Sequence, residues 1–194
     1  SGMMLMASAG DLITLYLGLE LMALSIYVLA GFMRRDSRSN EAGIKYLLLG
    51  AFSSGIMLYG MSLLYGITGT TNLTGIMVFL HRADLANPVL FLAMVMLLVS
   101  FGFKVAAVPF HMWVPDVYEG APTSVTAFMS AGPKVAGFAV LLRVFLHALG
   151  PVHAESSTLI AFIAVLTMAV GNITAISQTN IKRMLAYSSI AHAG

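Results

Sequence analysis

Runs of about twenty apolar residues recur along this chain, a length that matches the roughly 30 Å hydrocarbon core of a bilayer. Complete spans are expected at 12–32 and 44–67, closed on one side by Arg34-Arg35-Asp36-Ser37-Arg38. Thr68 to Asn87 is polar and reads as a loop, and a third apolar run opens at Pro88. Further spans fall at 124–148, bent at Gly132-Pro133, and at 158–177, with a last one opening near Asn180 and truncated at 194. Of the 194 residues, 59% are hydrophobic and only 9% charged, with mean hydropathy +0.90. Ordinary soluble domains carry about 25% charged residues, so lipid must be the solvent for most of this surface.

The run from Pro88 is the informative one. Pro109, Pro115 and Pro122 follow it closely, and a straight helix over 88–122 would be about 52 Å long, well beyond the core. Proline lacks an N–H and biases the residue before it away from helical geometry, so the span is expected to break near Pro109. Irregular backbone at membrane depth survives only when buried in protein or lining a wet cavity.

Basic residues set the expected orientation. Arg34, Arg35 and Arg38 mark one cytoplasmic loop and Lys182 with Arg183 another, which requires an even number of crossings between them. Counting the broken span once satisfies that requirement. The loops at 68–87 and 149–157 then face outward, with Arg82 as their clear cation. No basic stub followed by an apolar run and a small-residue cleavage site is present, so no leader is expected. Ser1 to Ala9 reads as the closing turns of a helix, and the chain is expected to be part of something longer.

The same residues exclude several function classes. With zero cysteines there is no thiol catalysis, disulfide, thiolate metal site or iron–sulfur cluster. A dispersed net charge of +2 does not suit nucleic acid. Neither a Gly-x-Gly-x-x-Gly turn, a P-loop nor a paired-histidine spacing occurs, so no cofactor and no metal is expected in this chain. The 14 methionines read as core filler.

What remains is charge where lipid should be. Glu20 lies about 12 Å along its helix from Leu12, Lys134 about 15 Å from Ser124, and Lys104 about one turn before Pro109. Inserting each group costs on the order of 3 kcal/mol. One reading is that Glu20 pairs with a lysine and glues helices together. The other is proton hopping, since burial favours the neutral form of either group and brings protonation changes within physiological range. Glu20 is expected within ion-pair or one-water reach of Lys104, and Lys104 and Lys134 on facing helices. His111 could relay protons across the break or satisfy the carbonyls freed there. Glu41 and Lys45 share a helix face at i,i+4, either as a capped helix start or as a cytoplasmic proton entry. Trp113 and Tyr118 read as interfacial or packing aromatics, and Arg143, Lys182 and Arg183 as snorkelling residues near span ends.

Three stretches resemble one family: Gly18-Leu19-Glu20-Leu21, the run from Phe103 through His111 to Pro122, and Gln178 to Ser189. They are similar to the antiporter-like membrane subunits of complex I and of the multisubunit sodium/proton antiporters. Pro-Asp-Val-Tyr-Glu-Gly-Ala-Pro at 115–122 is closer to the N-type form than to the L or M types. The resemblance implies an all-α polytopic membrane protein, an antiporter-like bundle with a discontinuous helix, holding the first inverted repeat and the start of the second. It implies proton translocation as a subunit of NADH:quinone oxidoreductase in a bacterial inner membrane, beside other membrane subunits, with redox chemistry elsewhere. The family's transmembrane glutamate falls on Glu20, its lysines on Lys104 and Lys134, and its histidine after the break on His111. A cation/proton antiporter subunit and a non-conducting scaffold are the alternatives.

Overall fold

The computed structural model describes residues 1–83, 85 and 87–194. Asp84 and Ala86, within the loop expected over Thr68 to Asn87, lie outside the described residues. Among the described residues the chain is helical, with one isolated bridge between Asp11 and Asn72. The helices are α1 Gly2–Ser8, α2 Leu12–Ala30, α3 Ser37–Thr68, α4 Leu73–Leu80, α5 Pro88–Val105, α6 Trp113–Gly120, α7 Thr123–Leu142, α8 His153–Ile176 and α9 Ile181–Ala191. A π-helical turn at Arg143–Ala148 prolongs α7, and a short 3-10 turn at Gly150–Val152 leads into α8.

Helix starts follow local chemistry. Asp11, Asp36, Asn72, Asn87 and Asn180 each accept a hydrogen bond from a first-turn amide, satisfying donors that helix geometry leaves free. Asp36 therefore starts α3 at Ser37, earlier than the Ile44 expected from hydropathy alone. The expected outer loop is also more ordered than its polar composition suggests. Asn72 caps α4 inside it, and Asp11 accepts from the Thr71 hydroxyl at 2.5 Å while the Leu12 amide donates to the Thr71 carbonyl. Burial nudges the Asp11 carboxyl upward, but the bonds from Thr71, Ile13 and Thr14 outweigh it and hold the group below its ordinary range.

Five helices are long and apolar enough to cross a membrane: Leu12–Ala30, Ser37–Thr68, Pro88–Val105, Thr123–Ala148 and Ser156–Ile176. The protein is a multi-pass membrane protein. Arg38 and Arg183 both approach Glu119, at 4.0 and 3.0 Å, so the two basic clusters expected on one side do lie at one end of the bundle.

The third span is discontinuous. α5 stops at Val105, the residue whose carbonyl the Pro109 ring would strike if the helix continued. Ala106 takes a left-handed conformation (φ 67°), Val108-Pro109 is cis, and α6 begins only at Trp113. The amides of Ala106 and Ala107 return to the Phe103 and Gly102 carbonyls at 3.2 and 2.8 Å. Val108 N–H instead reaches across to the Thr167 hydroxyl of α8 at 2.9 Å.

α6 is gripped from both sides, by α3 and by α9. Trp113 stacks on Tyr46 (4.3 Å, 7°), Tyr27 meets Tyr46 edge-on at 4.7 Å, and Trp113 Nε1–H donates to the Phe103 carbonyl at 3.0 Å. Both Trp113 and Tyr118 are buried, so they pack the core rather than mark an interface. Gly120 lies where a Cβ would stand 2.8 Å from the Ala42 Cβ of α3 and closer still to backbone. Gly120→Ala should therefore force α6 away from α3 and lower stability by about 1–3 kcal/mol, read as a reduced Tm in detergent. An unchanged Tm would mean that this approach is not tight. Trp113→Phe should cost about 0.5–1.5 kcal/mol, the net worth of one hydrogen bond, because the Phe103 carbonyl keeps the Ala106 amide as a donor, checked in the same assay.

Candidate functional site

The discontinuity places charged side chains at membrane depth. Lys104 occupies the last turn of α5, where its cation suits the negative end of the helix dipole. It is 7% exposed, its Nζ has no hydrogen-bond partner, and it lies over the Phe103 ring, 5.6 Å to centroid. Lys134 on α7 is equally buried, but its Nζ donates to Ser189 Oγ at 2.7 Å and to the Ser189 carbonyl at 2.6 Å. α5 and α7 are in contact. A Cβ on Gly137 would lie 3.9 Å from the Lys104 Cβ, and Gly137 shares a face with Lys134 at i,i+3. The two lysines thus sit on facing helices.

Glu20 makes no direct ion pair with Lys104, although its charge still acts on that amine, and the Ser54 hydroxyl of α3 donates to its Oε1. Ser54 is buried on α3, which packs against α2, and so intercepts the carboxylate. His111 lies in the break with its ring edge-on to Tyr187 of α9, centroids 6.4 Å apart. Its Nδ1 is buried without a close hydrogen-bond partner, but the ring also feels the Pro109 backbone carbonyl in the break, so both roles expected of this histidine stand.

A second, partly hydrated cluster sits where α3, α6 and α9 meet. Lys45 bonds Glu41 at 2.7 Å and Asp116 at 2.9 Å. Arg183 reaches Asp116 at 2.7 Å and Glu119 at 3.0 Å, and the Asn180 amide donates to Glu119 Oε1 at 3.0 Å. Glu41, Lys45, Asp116, Glu119 and Arg183, with Arg38, line a cavity of about 240 Å³. The Glu41–Lys45 pair is therefore one edge of a larger network. The snorkelling expected of three basic residues is also replaced by internal bonds. Arg183 joins the network, Lys182 donates to the Ala121 and Glu119 carbonyls at 3.0 and 3.3 Å, and Arg143 donates to the Ala7 carbonyl.

Asp116, Glu119, Ser54 and Ser189 are not among the site residues expected from sequence, and Arg183 is expected there only to mark a cytoplasmic loop and to snorkel. Asp116 and Glu119 stand beside prolines in the broken segment, and acids there opposite a basic pair at 182–183 were the available signal. Nothing marked the serines.

The family described as NADH:quinone oxidoreductase/Mrp antiporter, TM matches residues 9–194. NADH-quinone oxidoreductase subunit N of Trichlorobacter lovleyi is 62% identical over 194 residues, covering 100% of this chain and 40% of its own length. A chain of respiratory complex I from Thermus thermophilus superposes with TM-score 0.84 at 43% identity over 99% of this chain and 40% of that one. A chain of the Mrp complex from Dietzia sp. shares the fold alone, with TM-score 0.86 at 22% identity over 99% of this chain and 36% of that one. The chain thus spans about 40% of the length of the subunit N relative it matches. A polytopic bundle with a helix broken before Pro109 and lysines buried on either side of the break belongs to the NADH:quinone oxidoreductase/Mrp antiporter membrane family.

Proposed function

We propose that this chain carries protons within the N-type membrane subunit of a proton-translocating NADH:quinone oxidoreductase of a bacterial inner membrane. Other membrane subunits flank it and redox chemistry elsewhere drives it. The observation that carries the reading is the pair of lysines, each 7% exposed, on facing helices beside a break in the backbone. A charged group this deep is costly, and helix adhesion alone is a poor return, because a buried ion pair stabilises little more than apolar packing. Lys104 lacks even that ion pair.

In this reading the Glu41–Lys45–Asp116 cluster takes up protons from the cytoplasm, helped by a cavity that admits water. Glu20 and Lys104 form the first interior stations, with His111 at the break. Lys134 receives the proton through a few bridging waters and passes it onward beside Ser189. Like charges on successive stations disfavour each other, so a proton is handed on rather than held by both. Movement of a neighbouring charge then shifts occupancy from one to the other, which is how a distant redox event can drive the step. The antiporter reading shares the fold, but the likeness to the Dietzia Mrp chain is 22% against 62% for the subunit N relative, which favours the first.

The test is made in the full-length subunit within its assembled complex, reconstituted in vesicles. Lys104→Arg keeps charge and length but holds its proton too firmly to pass it on. Pumping and coupled quinone reduction should fall together by about tenfold or more, within the range of losing one acid–base group. Wild-type pumping in the arginine variant would leave a scaffold role standing. Ser189→Ala should slow pumping less, because the backbone carbonyl still holds Lys134. A loss as large as that of Lys134→Ala would contradict that ranking.

A further inference from the structure

The one polar anchor of the broken segment comes from an unexpected helix. α8 is largely open on its outer face, with Phe162, Val165, Ile173 and Ile176 all well exposed. Thr167 is the exception: it is fully buried, on the strip where α8 turns inward. Such a position ordinarily takes an apolar side chain, and valine has the same shape. The hydroxyl has one distinctive use. It donates to the Ile163 carbonyl at 2.6 Å, which directs its lone pairs outward, and there it accepts the Val108 amide at 2.9 Å.

That amide has no other partner: helix α5 has ended at Val105, and among the described residues no backbone carbonyl accepts from Val108 N–H. A buried amide left unpaired is strongly disfavoured, so the Val108 position is set by where Thr167 stands. Lys104 lies four residues earlier, in the turn whose end this bond fixes.

We propose that Thr167 is a positioning residue for Lys104, pinning the break in the α5–α6 span to α8 so that the buried amine keeps its place between stations. The proposal rests on the proton-translocation reading. It makes α8 part of the conducting apparatus, although α8 carries no ionisable side chain between Ser156 and Ile176.

The experiment uses the full-length subunit in its assembled complex, with Thr167→Val, Thr167→Ala and Thr167→Ser made alone and in a Lys104→Ala background. Two quantities are read: backbone hydrogen exchange over residues 104–112, and protons translocated per electron. Thr167→Val should accelerate exchange across the break about tenfold and lower the proton ratio about threefold, as expected when a buried amide loses its acceptor. Thr167→Ser should restore both. In the Lys104→Ala background Thr167→Val should lower the proton ratio no further, because its effect passes through that amine. Should the valine variant fail to assemble, the alanine and serine variants carry the same comparison. Native exchange and native pumping in Thr167→Val overturn the proposal. So does faster exchange with native pumping, which would leave Thr167 a structural pin only, and so does a pumping loss that serine does not rescue. If Lys104→Ala itself pumps normally while Thr167→Val still loosens the break, the proton-translocation reading is what fails.

Discussion

Every backbone amide and carbonyl at membrane depth must find a partner inside the protein, because lipid supplies none. An unbroken helix meets that demand automatically, and a broken one meets it piece by piece. The interval from Ala106 to Met112 shows how. Two amides fold back onto the end of α5, one crosses to Thr167, and the Trp113 indole closes on the Phe103 carbonyl. The Phe110 ring fills the space over Gly102, where a Cβ would stand 2.9 Å from its Cδ2. What results is irregular backbone that is nonetheless held, and the last helical turn before it presents Lys104 to the interior.

The two charged regions obey different energetics. At the end of the bundle, Asp116 and Lys45 are 38% and 42% exposed, so each ion pair contributes little by itself and is weakened by salt. Their strength lies in number and connection, since Asp116 is shared by α3 and α9 while sitting on α6. In the interior the balance is reversed. Lys134 is held by two short bonds to Ser189, and Lys104 by none. An amine that nothing holds is the one most readily shifted between protonation states by a neighbour. The difference between the lysines suits unequal stations along one route.

Much of this architecture was legible in the residues themselves. Apolar length marked where the five long apolar helices lie, and Pro109 marked the break by its missing N–H and its effect on the residue before it. Hydropathy put α3 too late, because the Asp36 cap that starts it lies outside the apolar run. The site was legible only in part. Glu20, Lys104 and Lys134 are conspicuous because charge is rare in lipid, but what they touch is not. Ser189 is 55 residues from Lys134 and Thr167 is 59 from Val108, and single hydroxyls leave no periodic trace. The same blindness covers Glu20: opposite charge pointed to Lys104, but the buried serine on the adjoining helix that holds the carboxylate left no trace. Asp116 and Arg183, 67 residues apart, became partners only once α6 had been cut loose from α5 and laid against α9.

The central claim is that Lys104 and Lys134 serve one proton route. Its most direct test measures protons translocated per electron in vesicles for Lys104→Ala, Lys134→Ala and the double variant of the assembled complex. Residues acting in series are strongly non-additive, so the double variant should pump no worse than the poorer single variant. Losses that multiply in the double variant, or either single variant pumping at the wild-type ratio, would contradict a shared route.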